Sequence, residues 1–113
     1  MSAEIPADVL TAARAEYQCV MRRDMDLVPI ECDGRVVGFH HAPRETTMGR
    51  RCGPMFVLPD YRRRGLMVAA YARIPGPLVA FVRHDNEPSM RMHARAGFTR
   101  WRRGASGWWV RRA

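Results

Sequence analysis

Lysine is absent from this sequence, cysteine is rare, and no apolar run is long. The three cysteines, Cys19, Cys32 and Cys52, are odd in number and include no Cys-x-x-Cys pair, so they predict neither a zinc module nor a disulfide framework. No apolar stretch approaches the roughly 18 residues that span a bilayer, and no basic segment followed by an apolar one opens the chain. We therefore expect no bound metal, no membrane contact and a reducing, cytoplasmic setting.

Acidic residues are also scarce. The chain has 19 basic residues, all of them arginine, against 11 acidic ones, and its formal net charge is +8. This balance favours an anionic partner such as a nucleotide, a nucleic acid or an acidic surface. The exclusive use of arginine has two open explanations, namely the codon bias of a GC-rich genome and the bidentate recognition of phosphate.

The length of 113 residues corresponds to one domain. Hydrophobic residues make up 47% of the chain and charged residues 27%, which is typical of a globular protein. We predict a single domain over 1–113, made of an N-terminal helical segment (1–26), a core that carries the motifs (27–103) and a C-terminal hairpin strand (104–113).

The first half of the chain predicts one helix and three strands. Apolar residues at helical spacing after Pro6 indicate an amphipathic helix over residues 7–22. The pair Asp33-Gly34 indicates a tight hairpin between strands at Leu27–Cys32 and Arg35–His40, because such turns need positive φ. The polar segment 42–51 predicts a loop before a buried strand at Cys52–Leu58.

The second half alternates helices and strands. A helix at Leu66–Arg73 is ended by Ile74-Pro-Gly-Pro77 and followed by a short buried strand, Leu78–Val82, of the kind found in parallel pairs. A second helix runs from Glu87 to Ala96, with Pro88 in its first turn and Gly97 after its end. Two further strands, Thr99–Arg103 and Trp108–Arg112, form a terminal hairpin.

A basic turn joins the buried strand predicted at Cys52–Leu58 to the helix predicted at Leu66–Arg73. It reads Arg62-Arg63-Arg64-Gly65-Leu66-Met67, and a turn that leads into a helix points unpaired backbone N–H groups at one spot. Arginine side chains add charge-assisted hydrogen bonds, and Gly65 leaves room for an anion. The pattern is that of a phosphate site, although a solvated basic turn has the same composition.

Two motifs around this turn resemble the signature of the GNAT superfamily of N-acetyltransferases. The segment Phe56-Val-Leu-Pro-Asp-Tyr-Arg-Arg-Arg-Gly-Leu66 is similar to the family pattern apolar-Val-x-Pro-x-Tyr-Arg-x-x-Gly-x-Gly/Ala. The segment Asn86-Glu-Pro-Ser-Met-Arg-Met-His-Ala-Arg-Ala-Gly-Phe98 follows at the family's spacing and is similar to Asn-x-x-Ala/Ser-x-x-x-Tyr-x-Lys-x-Gly-Phe. The hairpin that contains Gly38 precedes them as in the family, so the resemblance covers residues 27 to about 103 of an N-terminally shortened member.

The resemblance implies an α/β (α+β) fold, with a mixed, mostly antiparallel sheet, flanking helices and a cofactor strand that splays near Val57. It also implies transfer of an acetyl group from acetyl-CoA to an amine by direct attack. The backbone of Phe56 and Val57 would contact the pantetheine and acetyl portions, and Asn86 would bond the pantetheine arm. The diphosphate would be held by the loop residues Arg62, Arg63, Arg64, Gly65, Leu66 and Met67.

Three features depart from the family pattern. Position 93, near the leaving thiol, is commonly a tyrosine that acts as general acid, but here it is His93, which is only partly protonated at neutral pH. His93 is therefore either the acid or a helix-surface histidine. Met67 replaces a small residue at the end of the loop motif, and the helix that ends at Ile74 is short. No residue stands out as the base, since His40, His41, Glu31 and Glu45 are typical of surface or hydrogen-bonded positions.

The C-terminus combines arginine with tryptophan, in Arg100-Trp-Arg-Arg103 and Trp108-Trp-Val-Arg-Arg112. Such residues stack bases and contact phosphates on nucleic-acid-binding surfaces, and they also pack cores and dimers. Three functions stay open: an acetyltransferase, a nucleic-acid-binding or nucleic-acid-modifying protein on the same fold, and a catalytically degenerate interaction module. A homodimer through the C-terminal strand is a further possibility.

Overall fold

The structure is a computed structural model that describes residues 5–17 and 26–113. Its strands form two sheets, of three and five strands, and contacts between Cα atoms divide the chain into two compact units. Unit 1 comprises residues 1–42 and 53–66, and unit 2 comprises 43–52 and 67–113. The helices are α1 (Ala7–Tyr17), α2 (Leu66–Ala72) and α3 (Glu87–Arg95), and the strands are β1 (Leu27–Cys32), β2 (Arg35–His41), β3 (Arg44–Thr46), β4 (Gly49–Arg51), β5 (Phe56–Val57), β6 (Leu78–Arg83), β7 (Thr99–Arg103) and β8 (Gly107–Arg112).

Unit 1 contains the three-stranded sheet, in the order β1-β2-β5. The hairpin predicted between β1 and β2 is confirmed, because Asp33 and Gly34 both have positive φ, 53° and 78°. Strand β2 pairs on its other side with β5, with Gly38 opposite Val57 and Phe39 opposite Phe56. The turn thus sets the register of β2, and β2 in turn positions β5.

The core of unit 1 lies between α1 and this sheet. Val9 and Ala13, four residues apart on one face of α1, are buried with Phe39 and Phe56. Pro6 stands directly before the helix, and its carbonyl accepts from the N–H groups of Val9 and Leu10. The helix is predicted to continue to residue 22, but positions 18–22 lie outside the described residues.

Unit 2 contains the five-stranded sheet, in the order β3-β4-β6-β8-β7, with α2 and α3. Alternate residues of the central strands are buried, among them Leu78, Ala80 and Val82 of β6 and Val110 of β8. The predicted terminal hairpin is confirmed, but its last strand is internal, since β8 pairs with β6 on one side and β7 on the other. A dimer that forms by pairing of the terminal hairpin therefore has β7, not β8, as its edge, and β3 is the other edge of this sheet.

The segment before β5 differs from its prediction. Residues 42–51 are not a loop: they contain the β3–β4 hairpin, whose turn is held by Thr46, which accepts from the Met48 N–H and donates to the Gly49 carbonyl. The single strand predicted at Cys52–Leu58 is also wrong, because only Phe56 and Val57 form a strand there. Pro54 in the gap has no N–H to donate to a ladder, so pairing is interrupted.

This interruption moves the chain from one sheet to the other. Strand β4 pairs in parallel with β6, through Arg51 opposite Val79, whereas β5 pairs with β2. The parallel partner of β6 is accordingly β4 rather than β5, the strand that precedes α2. The splay predicted near Val57 is thus present as a change of sheet between residues 51 and 56.

Gly38 provides a test of the β2–β5 contact. A Cβ at this position would lie 2.1 Å from the carbonyl oxygen of Phe56, which is backbone and cannot move aside without shifting β5. We expect Gly38→Ala to lower the free energy of unfolding by about 3 kcal/mol, measured by urea denaturation. Gly104→Ala is the matched control, since its nearest neighbours lie at 3.4 Å, and an equal loss in both variants would contradict the assignment.

Candidate functional site

The basic turn ahead of α2 has an unusual backbone. Arg63 and Gly65 both have positive φ, 64° and 73°, and Arg64 between them does not. Such alternation turns successive N–H groups inward, as in the backbone nests that bind anions. A Cβ on Gly65 would find no atom within 4 Å, so open space faces the loop there. The geometry of the turn therefore fits a phosphate group.

The three arginines of the turn differ in their surroundings. The Nε of Arg62 donates to the carbonyl of Val57 at 2.9 Å, its Nη2 forms an ion pair with Glu16, and its guanidinium lies 5.6 Å from the centre of the Phe56 ring. Arg62 thus fastens the turn to β5 and α1 within unit 1. The sequence does not reveal this structural role, because it depends on a partner 46 positions away.

Arg64 lies over an aromatic ring instead. Its guanidinium is 5.0 Å from the centre of the Tyr61 ring, and that of Arg35 is 5.8 Å from the same ring. Arg35 also donates to the Tyr61 hydroxyl at 3.3 Å and pairs with Asp8 at 2.9 Å. Arg35, Tyr61 and Arg64 line an open cavity of about 470 Å³ in unit 1. Arg63 and Arg64 are exposed, and they are the arginines of the turn whose side chains carry no carboxylate partner among the described residues.

Phe56 and Val57 can reach a ligand only through their backbone. Their side chains are 0% and 2% exposed, since both belong to the packed interior of unit 1. The Val57 carbonyl accepts from Arg62, and the next N–H, of Leu58, donates to Val37 at 2.8 Å. The strand is therefore held firmly on the side of β2.

Helix α3 of unit 2 begins as its sequence indicates. Asn86 caps it by accepting the Ser89 N–H at 3.2 Å, Pro88 lies in the first turn, and Gly97 follows with φ of 94°. Capping occupies the side-chain oxygen of Asn86. Its amide nitrogen is the part suited to donate to a pantetheine carbonyl. Met67, the last residue of the basic turn, lies half-buried in α2.

His93 is buried rather than on a helix surface, with 7% of its area exposed. Its Nδ1 lies 2.8 Å from the Ser89 carbonyl, which can only accept, so Nδ1 carries the proton. Its Nε2 then accepts from the Tyr71 hydroxyl at 2.9 Å. Burial lowers the pKa of His93, and burial raises that of Tyr71. The ring is thus neutral and both of its nitrogens are bonded internally, which favours a structural role.

The histidines at the end of β2 are buried as well, and His41 has an unusual environment. Its Nδ1 donates to the Pro54 carbonyl at 3.0 Å, which leaves Nε2 as an acceptor with no partner in the described part of the chain. Desolvation lowers the pKa of His41. The sequence analysis expects His41 at a surface or hydrogen-bonded position, and it is hydrogen-bonded. Its burial follows from its place after Val37 and Phe39 at the period of two that marks a buried strand face. Glu31 and Glu45 are exposed, as expected.

The fold is mixed α/β, its β4–β5 segment changes sheet, and the turn ahead of α2 has the geometry of an anion site. The acetyltransferase (GNAT) family has a sequence model that matches residues 5–98, and the chain belongs to this family. The resemblance of its two motifs and the expected fold class are thereby confirmed. Members of the family use acetyl-CoA as co-substrate.

Solved structures show the same fold. The PaiA N-acetyltransferase from Thermoplasma acidophilum, in complex with coenzyme A, is 13% identical with a TM-score of 0.61, and the match covers 88% of this chain and 65% of that enzyme. A protein from Bordetella pertussis described as a GNAT-family acetyltransferase is 20% identical with a TM-score of 0.58, over 92% of this chain and 73% of its own. This chain therefore spans about two thirds of the length of these proteins. None of the curated proteins compared with it is similar enough to count as a relative.

Within residues 5–17 and 26–113, no helix is long and apolar enough to cross a membrane.

Two of the three buried histidines, His41 and His93, are expected to make stability depend on pH. Because burial lowers the pKa of His41 and His93 below the ordinary value of about 6.5, the unfolded chain binds protons more readily than the folded one in acid. The free energy of unfolding should therefore be constant above about pH 7 and fall as the pH drops below 6.5. Urea denaturation between pH 5 and pH 8 measures this.

Variants assign the effect to these side chains. His93→Leu and His41→Leu should each be less stable at pH 7 but show a smaller loss on acidification. His84→Gln, which replaces an exposed histidine, should keep the full pH dependence. A wild-type stability that does not change, or that rises, between pH 7 and pH 5 would disprove this explanation.

Proposed function

We propose that the protein transfers an acetyl group from acetyl-CoA to an amine. The observation that carries the proposal is the turn at residues 62–67, where positive φ at Arg63 and Gly65, open space and exposed arginines favour a diphosphate. Membership of the acetyltransferase family supports the same ligand.

Each residue of the site then has a distinct task. The backbone of the turn and the side chains of Arg63 and Arg64 bind phosphate oxygens, while Arg62 keeps the turn in place through Val57 and Glu16. The half-buried Met67 contributes its backbone N–H. Asn86 donates its amide to the pantetheine arm, and the backbone of Phe56 and Val57 orients the thioester.

The reaction itself is a direct displacement. A neutral amine attacks the thioester carbonyl carbon, the C–N bond forms, and the C–S bond breaks as coenzyme A leaves as the thiolate. The amine nitrogen gives its proton to solvent water. The family resemblance makes His93 the acid that protonates this thiolate. Its bonds to Ser89 and Tyr71 favour instead a role in fixing α3 against α2 within unit 2. The two roles predict different kinetics.

Two substitutions of Gly65 that differ in charge test whether the turn binds phosphate. We compare Gly65→Asp with Gly65→Asn, because both residues tolerate positive φ and differ only in charge. The carboxylate should weaken coenzyme A binding about 100-fold relative to asparagine, since like charges about 4 Å apart at a protein surface repel by several kcal/mol. Isothermal titration calorimetry with acetyl-CoA, on protein freed of co-purified coenzyme A, measures the difference. Equal affinities would exclude the turn as the phosphate site.

The role of His93 is tested by comparing a variant of His93 with a variant of its hydrogen-bond partner, Tyr71. If its role is structural, His93→Phe and Tyr71→Phe should each lower the unfolding free energy by about 2 kcal/mol through a buried unpaired polar group, and leave kcat nearly unchanged. If His93 is the general acid, only His93→Phe should reduce kcat, by at least about 100-fold, with unchanged acetyl-CoA affinity. Thiol release with a panel of primary amines provides the kcat values.

A nucleic-acid partner is the second candidate function, and the distribution of charge favours it. Residues 43–52 and 67–113, which form unit 2, contain twelve arginines and three acidic residues. A folded chain that binds neither acyl-CoA nor nucleic acid would instead indicate an interaction module, with β7 as the edge for a homodimer. We infer a cytoplasmic setting from the unpaired thiols of Cys32 and Cys52.

A further inference from the structure

The positive charge of the chain is concentrated in unit 2. Unit 1 has seven arginines and eight acidic residues, so the excess over the whole chain comes from the twelve arginines and three acidic residues of unit 2. Two of those three acidic side chains, Asp85 and Glu87, already pair with Arg83 and Arg91. A surface with this imbalance attracts polyanions.

The two faces of the five-stranded sheet differ. One face carries the buried Ala80, Val82 and Val110 and also Arg112, whose guanidinium donates to the Tyr71 carbonyl at the end of α2 and lies 5.9 Å from the ring of Phe98 after α3. These contacts place both helices of unit 2 on that face. The opposite face has no helix of unit 2 on it.

This opposite face is lined by aromatic rings. Phe81 of β6 and Trp109 of β8 are directly paired, so they share a face, and their ring centres lie 5.2 Å apart. Val79 and Arg111 are paired on the same face, and Arg111 reaches Trp101 on β7. Phe81, Trp101 and Trp109 are all half-buried, which leaves part of each ring accessible.

Arginines stack on both tryptophans of this face. The guanidinium of Arg51 lies 5.4 Å from the centre of the Trp109 ring, and those of Arg102 and Arg111 lie 5.4 Å and 5.0 Å from the Trp101 ring. None of the three has an ion pair with a carboxylate among the residues that the structure describes. A stacked guanidinium keeps its N–H edge available for phosphate oxygens.

We propose that this aromatic face, defined by Phe81, Trp101, Trp109, Arg51, Arg102 and Arg111, binds single-stranded nucleic acid. The proposal rests on the second candidate function above and names its surface and its ligand. Bases stack on the indole and phenyl rings, and the arginines beside the rings contact the phosphates. Sheets that display aromatic side chains recognise single strands in this way, because unpaired bases expose their flat faces.

The charges favour a nucleic acid over a second copy of the chain. In a symmetric dimer through this face, the arginines of one copy would meet those of the other with no carboxylate to neutralise them, which opposes association. Duplex nucleic acid offers phosphates but hides its bases in the stack, so it can use the arginines and not the rings. The rings therefore distinguish the single strand from both alternatives.

The test is fluorescence anisotropy of a labelled single-stranded RNA of about 15 nucleotides and of its duplex, each bound to the full chain. The single strand should bind about tenfold more tightly than the duplex. Trp101→Leu should weaken single-strand binding about tenfold and leave duplex binding unchanged, whereas Trp101→Phe should restore most of the loss, since phenylalanine also stacks.

Two double variants distinguish binding at this defined face from general attraction between opposite charges. Arg102→Gln with Arg111→Gln should reduce the slope of log affinity against log salt by about 1.4, the value for two lost contacts to a single strand. The control, Arg73→Gln with Arg95→Gln, removes the same charge from exposed positions outside the face and should leave the slope nearly unchanged. Equal losses in the two pairs, or equal affinity for strand and duplex, would overturn the proposal.

Two further outcomes keep this inference separate from acetyl transfer. Saturating coenzyme A should not displace the RNA, and Trp101→Leu should leave acetyl-CoA affinity unchanged in calorimetry. Displacement by coenzyme A would overturn the inference by assigning the anion affinity to the phosphate turn. Sedimentation that shows a dimer converted to monomer by Trp101→Leu, without RNA binding, would assign the face to a second copy. Failure to bind acetyl-CoA while RNA still binds would affect only the proposed acetyl transfer.

Discussion

A single guanidinium joins the last strand of unit 2 to the end of α2. Arg112, in the last strand, donates to the carbonyls of Tyr71 at 2.8 Å, Ile74 at 2.5 Å and Gly76 at 2.7 Å. The last carbonyls of a helix lack i+4 N–H partners within it. The Tyr71 carbonyl also accepts from the Ile74 N–H at 3.0 Å, and Pro75 and Pro77, which follow α2 after Arg73 and Ile74, have no N–H to donate. The C-terminal strand thus completes a helix that lies forty residues earlier in the chain. The packing of Tyr71 on His93 and Phe98 follows from the position that this contact gives to α2.

The same use of arginine recurs elsewhere in the chain. Arg62 binds the Val57 carbonyl in unit 1, and Arg50 binds the Pro75 carbonyl at 2.6 Å in unit 2. A planar fork with five donors can bridge several acceptors at fixed angles, which a lysine ammonium on a flexible stem cannot do equally well. The absence of lysine is therefore partly explained by structure. The formal charge overstates what is available to ligands, since several arginines are occupied by backbone oxygens.

Local signals in the sequence predict the structure correctly where one or two residues determine the backbone conformation. Asp33-Gly34 specified a hairpin because both residues adopt positive φ, and Asn86 with Pro88 and Gly97 marked both ends of α3. The sequence does not predict the β3–β4 hairpin, because its two strands have three residues each and their residues are mostly polar. The sequence also does not predict the interruption between β4 and β5, because an apolar run does not indicate which sheet each of its parts will join. The burial of His93 and the anchoring of Arg62 depend on tertiary contacts, which no local pattern reports.

The passage of the chain between its two sheets has a consequence for folding. Because residues 43–52 belong to unit 2 and residues 53–66 to unit 1, each unit is assembled from two separate stretches of sequence. Neither can be obtained as a continuous fragment. During synthesis, the β3–β4 hairpin is made before β6, with which it pairs, and β6 in turn pairs with β8, which is made later than the other strands of its sheet. Long-range pairing of this kind costs loop-closure entropy before it gains contacts, so the second unit completes its fold only after the last strand has left the ribosome.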